Sequence, residues 1–253
     1  MRACRTAAVA CLLLLPLCAV AGSLRVGPTR LELSARHPVA VLEVQNTGDQ
    51  ATLAQLDAFL WTQAGTVDLL ESTAELIATP LVINLAPGET RLVRVGLRSA
   101  GGPMGQPARA TLERSYRVFV REVPPAALAE SGLRFAVRIG VPVFALPAGE
   151  SRAPDELSWR WLPDLHGCAS VQVSNPSARH DRVLAAQILN DTGEVLWRAS
   201  EPVYVLAGSK RSLQPALCAP SLQEAKTLRL ATESHTFDLP VEAPALLVDA
   251  NIH

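Results

Sequence analysis

The sequence is poor in the residues that usually advertise chemistry. Aromatic side chains make up 4% of its 253 residues, and there are only five histidines. His37, His166, His180, His235 and His253 are scattered, without the spacing of metal ligands. His166 near Cys168 is the closest approach to a metal pair, and two residues do not make a site. No H-E-x-x-H, G-x-S-x-G, P-loop or G-x-G-x-x-G run occurs, which removes the common zinc-protease, hydrolase and nucleotide-binding signatures. Aspartates and glutamates are spread through polar turns and none stands out as a catalytic pair. A formal net charge of −1 gives no electrostatic case for nucleic acid or an anionic membrane surface. The expectation is a non-enzyme without cofactor or metal.

Long apolar runs are also missing, with one exception. Ala7 to Leu17 is almost unbroken, follows Arg2 and Arg5, and leads to Ala19-Val20-Ala21, the small-x-small pattern of a signal-peptidase site. The run is too short for a membrane span. Residues 1–21 are therefore expected to be a signal peptide, and the mature chain is not expected to insert into a membrane. A lipid anchor on Cys18 is not expected, because Leu17 is bulky where that processing needs a small residue. Of five cysteines, only Cys168 and Cys218 lie beyond the signal. They are either one disulfide or two buried thiols. Export to an oxidising compartment favours the bridge, which would close a loop of about 50 residues and stabilise by about 2–4 kcal/mol.

What is present is strand pattern. Leu24 to Glu32, 39–46, 51–61, 75–80, 90–97 and 115–123 are short β-rich runs separated by turn residues such as Thr47-Gly48-Asp49 and Ala86-Pro87-Gly88-Glu89. Residues 98–109 hold a Gly- and Pro-rich loop. After residues 145–156, rich in Pro, Gly and charge, the pattern resumes at 157–162, 168–175, 182–189, 194–199, 203–208, 226–232 and 235–242. The spacing predicts an all-β chain of antiparallel sandwiches in two domains, 22–147 and 148–253. In Gly132 to Phe144 the alternation is strict: Leu133, Phe135, Val137, Ile139, Val141 and Val143 share one face, with Arg134, Arg138 and Pro142 among those on the other.

Four stretches, in order, resemble the PapD-like periplasmic pilus chaperones. They are residues 26–34, which carry Arg30; residues 77–95, with Ile77-Ala78-Thr79-Pro80 and a later Pro-Gly turn; residues 113–125, ending Arg121-Glu122-Val123-Pro124-Pro125; and the alternating strand at 132–144. In the second half, residues 171–183 and 204–211 resemble a strand ending in Asn-Pro-Ser and a later Gly-Ser turn. The seven residues between Pro125 and Leu133 are similar to the short-loop kind of these chaperones.

The resemblance implies two immunoglobulin-like sandwiches in a boomerang. It also implies a periplasmic chaperone that binds pilin subunits by lending them a strand and delivers them to an outer-membrane usher. The donor side chains would be Leu133, Phe135, Val137 and Ile139, each worth about 1.5–3 kcal/mol when buried. Arg30 matches the arginine that anchors the pilin's terminal carboxylate, a bidentate fit in chemical terms. The usual second cation is a lysine beyond the donor residues, where this chain has Pro142. Arg138, Arg121 and Arg117 are the candidates to replace it. Arg94 and Glu113 match a structural ion pair between the domains. The competing reading is a secreted β-sandwich adhesin or carbohydrate-binding protein. Such sites usually expose aromatics in loops, whereas Trp61, Trp159, Trp161 and Trp197 mostly fall within strand patterns.

Overall fold

A computed structural model describes residues 24–98, 111–123, 136–147, 157–164, 166–218, 220–233 and 235–242. The expected signal peptide, most of the expected loop at 98–109, and Leu133 and Phe135 lie outside the described residues.

Ten strands build the first half: β1 (Leu24–Gly27), β2 (Leu31–Leu33), β3 (Val39–Asn46), β4 (Thr52–Ala64), β5 (Val67–Ser72), β6 (Leu76–Thr79), β7 (Val82–Leu85), β8 (Thr90–Leu97), β9 (Arg114–Val123) and β10 (Arg138–Ala145). One sheet runs β1-β3-β8-β6. The other runs β2-β10-β9-β4-β5, with β7 also on β4. Alternation decides what lies between them. Leu42, Val44, Val93 and Val95 of the first sheet meet Ala54, Leu56, Val118, Val120, Val141 and Val143 of the second in one buried core.

The second half holds β11 (Ser158–Pro163), β12 (Cys168–Ser174), β13 (Asp181–Leu189), β14 (Val195–Arg198), β15 (Val203–Val205), β16 (Lys210–Cys218), the four-residue helix α1 (Ser221–Glu224), β17 (Thr227–Thr232) and β18 (Thr236–Pro240). Its sheets are β11-β12-β16 and β14-β13-β17-β18, with β15 on β13. Val171, Val173 and Leu213 pack against Val183, Ile188, Leu228 and Leu230 in a core of their own. The chain is thus all-β, in two immunoglobulin-like sandwiches. Among the described residues no helix is long and apolar enough to cross a membrane. Cys168 and Cys218 face each other across β12 and β16 and form a disulfide.

Both sandwiches use one corner. Asn46 ends β3, and its buried side-chain amide donates to the carbonyls of Gln50 and Leu85. Asn175 follows β12 and donates in the same way to Arg179 and Val205. The backbone N–H of each reaches a turn, at Glu89 and Ser209 respectively. Those turns hold Gly88 and Gly208 at φ of 75° and 64°, a conformation that glycine adopts without a Cβ clash.

Two expectations change. Leu24 to Glu32 is not one strand. Pro28 lacks an N–H and breaks the ladder, so β1 pairs with β3 in one sheet and β2 pairs with β10 in the other. The run at 51–61 continues to Ala64 and turns back as β5, a hairpin that reaches the second sandwich. There the Ser212 N–H donates to the Gly65 carbonyl (3.2 Å), and Gln63 bonds the Tyr204 carbonyl (2.9 Å) and the Leu206 N–H (3.0 Å).

Candidate functional site

The alternating strand becomes β10, and its two faces have different fates. Val141, Val143 and Ala145 lie in the first core, with Ile139 partly buried against it. Val137 is half-buried just before the strand, and its carbonyl accepts from Glu122 (2.9 Å). Val137 and Ile139 therefore continue outward along the face that Val141 and Val143 bury. On one side β10 pairs with β9 along its whole length. On the other, β2 covers only Val143 to Ala145.

The opposite face of β10 looks toward the second sandwich. Phe144 is fully buried there with Trp61 and Leu206, and half-buried Tyr204 packs on the cluster. His180 stacks flat on the Phe144 ring, centroids 3.5 Å apart.

Register sorts the candidate cations. Val143 is opposite Leu31 in the parallel pairing, so one step back Pro142 lies beside Arg30. On its other side Pro142 is opposite Arg117. Arg30, the residue just before β2, thus continues the Pro142–Arg117 rung by extension of the register, and ideal strand spacing puts the two arginine Cα atoms about 10 Å apart. Arg138 and Arg121 face each other on another rung, four residues or about 13 Å along the strand. Both have local employment. Arg138 stacks on Phe119, 3.7 Å from the ring centroid. Arg121 donates to Gln55 (2.8 Å) and lies 3.9 Å from Asp57.

Arg117 is different. Its guanidinium lies 4.0 Å from the centroid of the Trp61 ring and makes no hydrogen bond or ion pair among the described residues. Loss of water is the largest influence on it and pulls its pKa below the ordinary value, against the field of Asp68. Asp68 itself is bonded to Arg211 at 2.8 Å. The indole N–H of Trp61 is buried and also lacks a partner among the described residues. Arg30 has two carboxylate neighbours, Glu233 at 2.6 Å and Glu32 at 3.8 Å. The hydrogen bond to Glu233 is the main cause of its raised pKa.

Comparison with known families is decisive at this point. Residues 23–150 match the model of the pili and flagellar-assembly chaperones, PapD N-terminal domain. The chain belongs to that chaperone family. No curated protein matches the sequence. Among solved structures it is similar to a chain of the CsuC–CsuE chaperone–tip adhesion subunit pre-assembly complex from archaic Csu pili of Acinetobacter baumannii. That match has 20% identity and a TM-score of 0.64, and covers 86% of this chain and 98% of that one. It is similar to a chain of the Salmonella enterica SafA pilin–SafB chaperone complex (17% identity, TM-score 0.59, 87% and 96% covered). It is also similar to the Pseudomonas aeruginosa CupB2 chaperone (19% identity, TM-score 0.54, 86% and 100% covered). At these identities the likeness concerns the fold.

The expected pair of Arg94 and Glu113 does not form in this chaperone. Arg94 alternates with buried Val93 and Val95, so it points outward from the β1-β3-β8-β6 sheet. Glu113 precedes β9 in the other sheet and takes a partner from the second sandwich. Its fully buried carboxylate lies 2.8 Å from Nδ1 of His180, with Arg179 at 4.0 Å, and its backbone N–H donates to the Ala178 carbonyl (2.9 Å). The junction therefore rests on Glu113, Gln63, Asp68, Phe144 and Trp61. Sequence reasoning did not single out Gln63, Asp68 or Phe144. The one sequence signal for Phe144 was an aromatic on the polar face of an otherwise strictly alternating strand.

Proposed function

We propose that this protein is a periplasmic chaperone that binds pilin subunits and passes them to an outer-membrane usher, holding the subunit's terminal carboxylate between Arg30 and Arg117. The observation that carries the reading is the rung Arg30–Pro142–Arg117. A guanidinium drawn out of water, stacked on an indole and left without an anion favours any carboxylate that arrives. Arg117 supplies, from the neighbouring strand, the charge that Pro142 does not.

The remaining parts follow. Residues 1–21 direct export and are removed, 22–147 form the subunit-binding domain, and 148–253 form the second domain. With its carboxylate fixed in the cleft, a subunit strand runs beside the uncovered side of β10. Leu133, Phe135, Val137 and Ile139 then extend the chaperone's own buried face into the subunit. Main-chain pairing gives general affinity, and the alternating side chains fill the subunit's open core.

Co-expression with a pilin subunit and pull-down tests the reading. Arg30→Ala and Arg117→Ala are each expected to lower recovered complex at least tenfold, because each removes a charge-assisted contact. Arg121→Ala and Arg138→Ala are expected to leave recovery within about twofold, since they lie on another rung. Val137→Glu should lower recovery by placing a charge in an apolar pocket. Wild-type recovery with Arg117→Ala would remove Arg117 from the site.

A further inference from the structure

Arg30 is already holding a carboxylate. Glu233 sits in the tight turn between β17 and β18, where the Thr232 N–H donates to the His235 carbonyl (2.7 Å) and the Glu233 N–H to the Arg182 carbonyl (3.2 Å). From this fixed position one carboxylate oxygen meets Nη1 of Arg30 at 2.6 Å, and the other lies 3.6 Å from Nη1 of Arg182. Burial alone would raise the Glu233 carboxyl, but the hydrogen bond and charge of Arg30, with the charge of Arg182, outweigh it and hold the group below its ordinary value. Glu32 lies 3.8 Å from Nε of the same arginine.

We infer that Glu233 competes with the incoming terminal carboxylate for Arg30 and exchanges onto Arg182 when the subunit binds. The inference rests on Arg30 being the anchor. Three carboxylates around one guanidinium would repel one another, so one must leave. Glu233 is the one with somewhere to go. Arg182 is its second cation already, with Nη1 3.6 Å from the other carboxylate oxygen. Turning toward Arg182 keeps Glu233 paired, so the exchange costs little. Glu32 is held differently, with Arg179 at 3.6 Å and its backbone inside β2. The consequence is selectivity. A small carboxylate must displace Glu233 with nothing else to offer, whereas a pilin subunit also brings strand pairing and buried side chains. Glu233 thus biases Arg30 against stray anions and toward chains that engage the whole donor strand.

The test uses the full mature chain and acetate as the probe. The Nε–Hε signal of Arg30, assigned through Arg30→Ala, is followed by NMR as acetate is added at fixed ionic strength and pH 7. In Glu233→Gln the half-saturating acetate concentration is expected to fall about fivefold relative to wild type, the scale of one exposed charge–charge coupling. Glu233→Ala should do the same, and the amide spectrum reports whether each variant is folded. Glu43→Gln makes the same charge change on the exposed face of β3 and should leave the titration unchanged. If Arg30 responds to acetate equally in wild type and Glu233→Gln, competition is overturned while the anchor stands. If Glu43→Gln matches Glu233→Gln, the effect is one of net charge and competition is again overturned. If Arg30 responds in neither wild type nor Glu233→Gln, the anchor itself falls and the competition with it.

Discussion

The two sandwiches share a corner but use it differently. In the first, Asn46 fixes the loop at 47–50, which is mostly exposed. In the second, Asn175 fixes the loop at 176–180, whose Ser177 is buried by bonds to Asn175 and to the Arg179 carbonyl. That loop delivers His180 to Phe144 and to Glu113. The hydrogen-bonding device is the same. The difference lies in what the loop rests on. One corner closes a sandwich, while the other also fixes the angle at which two sandwiches face each other across the Arg30–Arg117 rung. One backbone geometry can thus be used twice, with only the following few side chains deciding whether it becomes an end or a joint.

The largest effect should come from removing what the second corner rests on. Phe144 is fully buried between His180, Trp61 and Tyr204. Phe144→Ala is expected to cost about 3–5 kcal/mol, read by chemical denaturation, because the ring's cavity lies between two rigid sheets that cannot close it. A loss under about 1 kcal/mol would show that the junction contributes little. Next come the corners themselves. Asn46→Ala and Asn175→Ala each remove the side-chain donor to one buried carbonyl, that of Leu85 or Val205, and to one part-buried carbonyl, and should each cost about 1–3 kcal/mol. The comparison predicts a second consequence for Asn175→Ala only: a changed angle between the sandwiches, visible in small-angle scattering. If Asn46→Ala alters that angle equally, the two corners are not functionally distinct.

Much of this was legible beforehand, and the reasons are local. Strands β3, β8 and β9 alternate within their own residues, so their faces follow from the sequence alone. Asn-Pro-Ser at 175–177 and the glycine turns are local signals too, and the expectation of export favoured a bridge between Cys168 and Cys218. What escaped depends on partners. Leu24 to Glu32 reads as one run because nothing local says that its ends join different sheets. Arg94 and Glu113 looked like partners until sheet assignment placed them apart. Arg117 stood level with Arg121 and Arg138 in sequence, and only the register of β10 against β9 and β2 separates them. Strand β5 carries Leu69 and Leu70 side by side and owes its extended form to pairing with β4. Long-range register is the information that side-chain pattern does not hold.

The weakest expected effect concerns a more exposed contact of the second sandwich with the first, the Arg30–Glu233 pair. The Glu233 carboxyl is held below its ordinary value. A depressed carboxylate pKa means that the folded state releases the proton more readily than the unfolded chain, so its contribution is complete above the unfolded pKa, about 4.3. It is lost as pH falls through the lower folded value. The pair is about one third exposed on both sides and so is worth at most about 1 kcal/mol after screening. The small stability difference between wild type and Glu233→Gln should therefore be constant from pH 8 to about 5, fade below about pH 4, and shrink in high salt. A difference that persists at pH 3, or grows with salt, would mean that Glu233 supports the junction through packing rather than charge. The second sandwich would then meet Arg30 as a wall, and the contrast between this contact and the packed Asn175 corner would disappear.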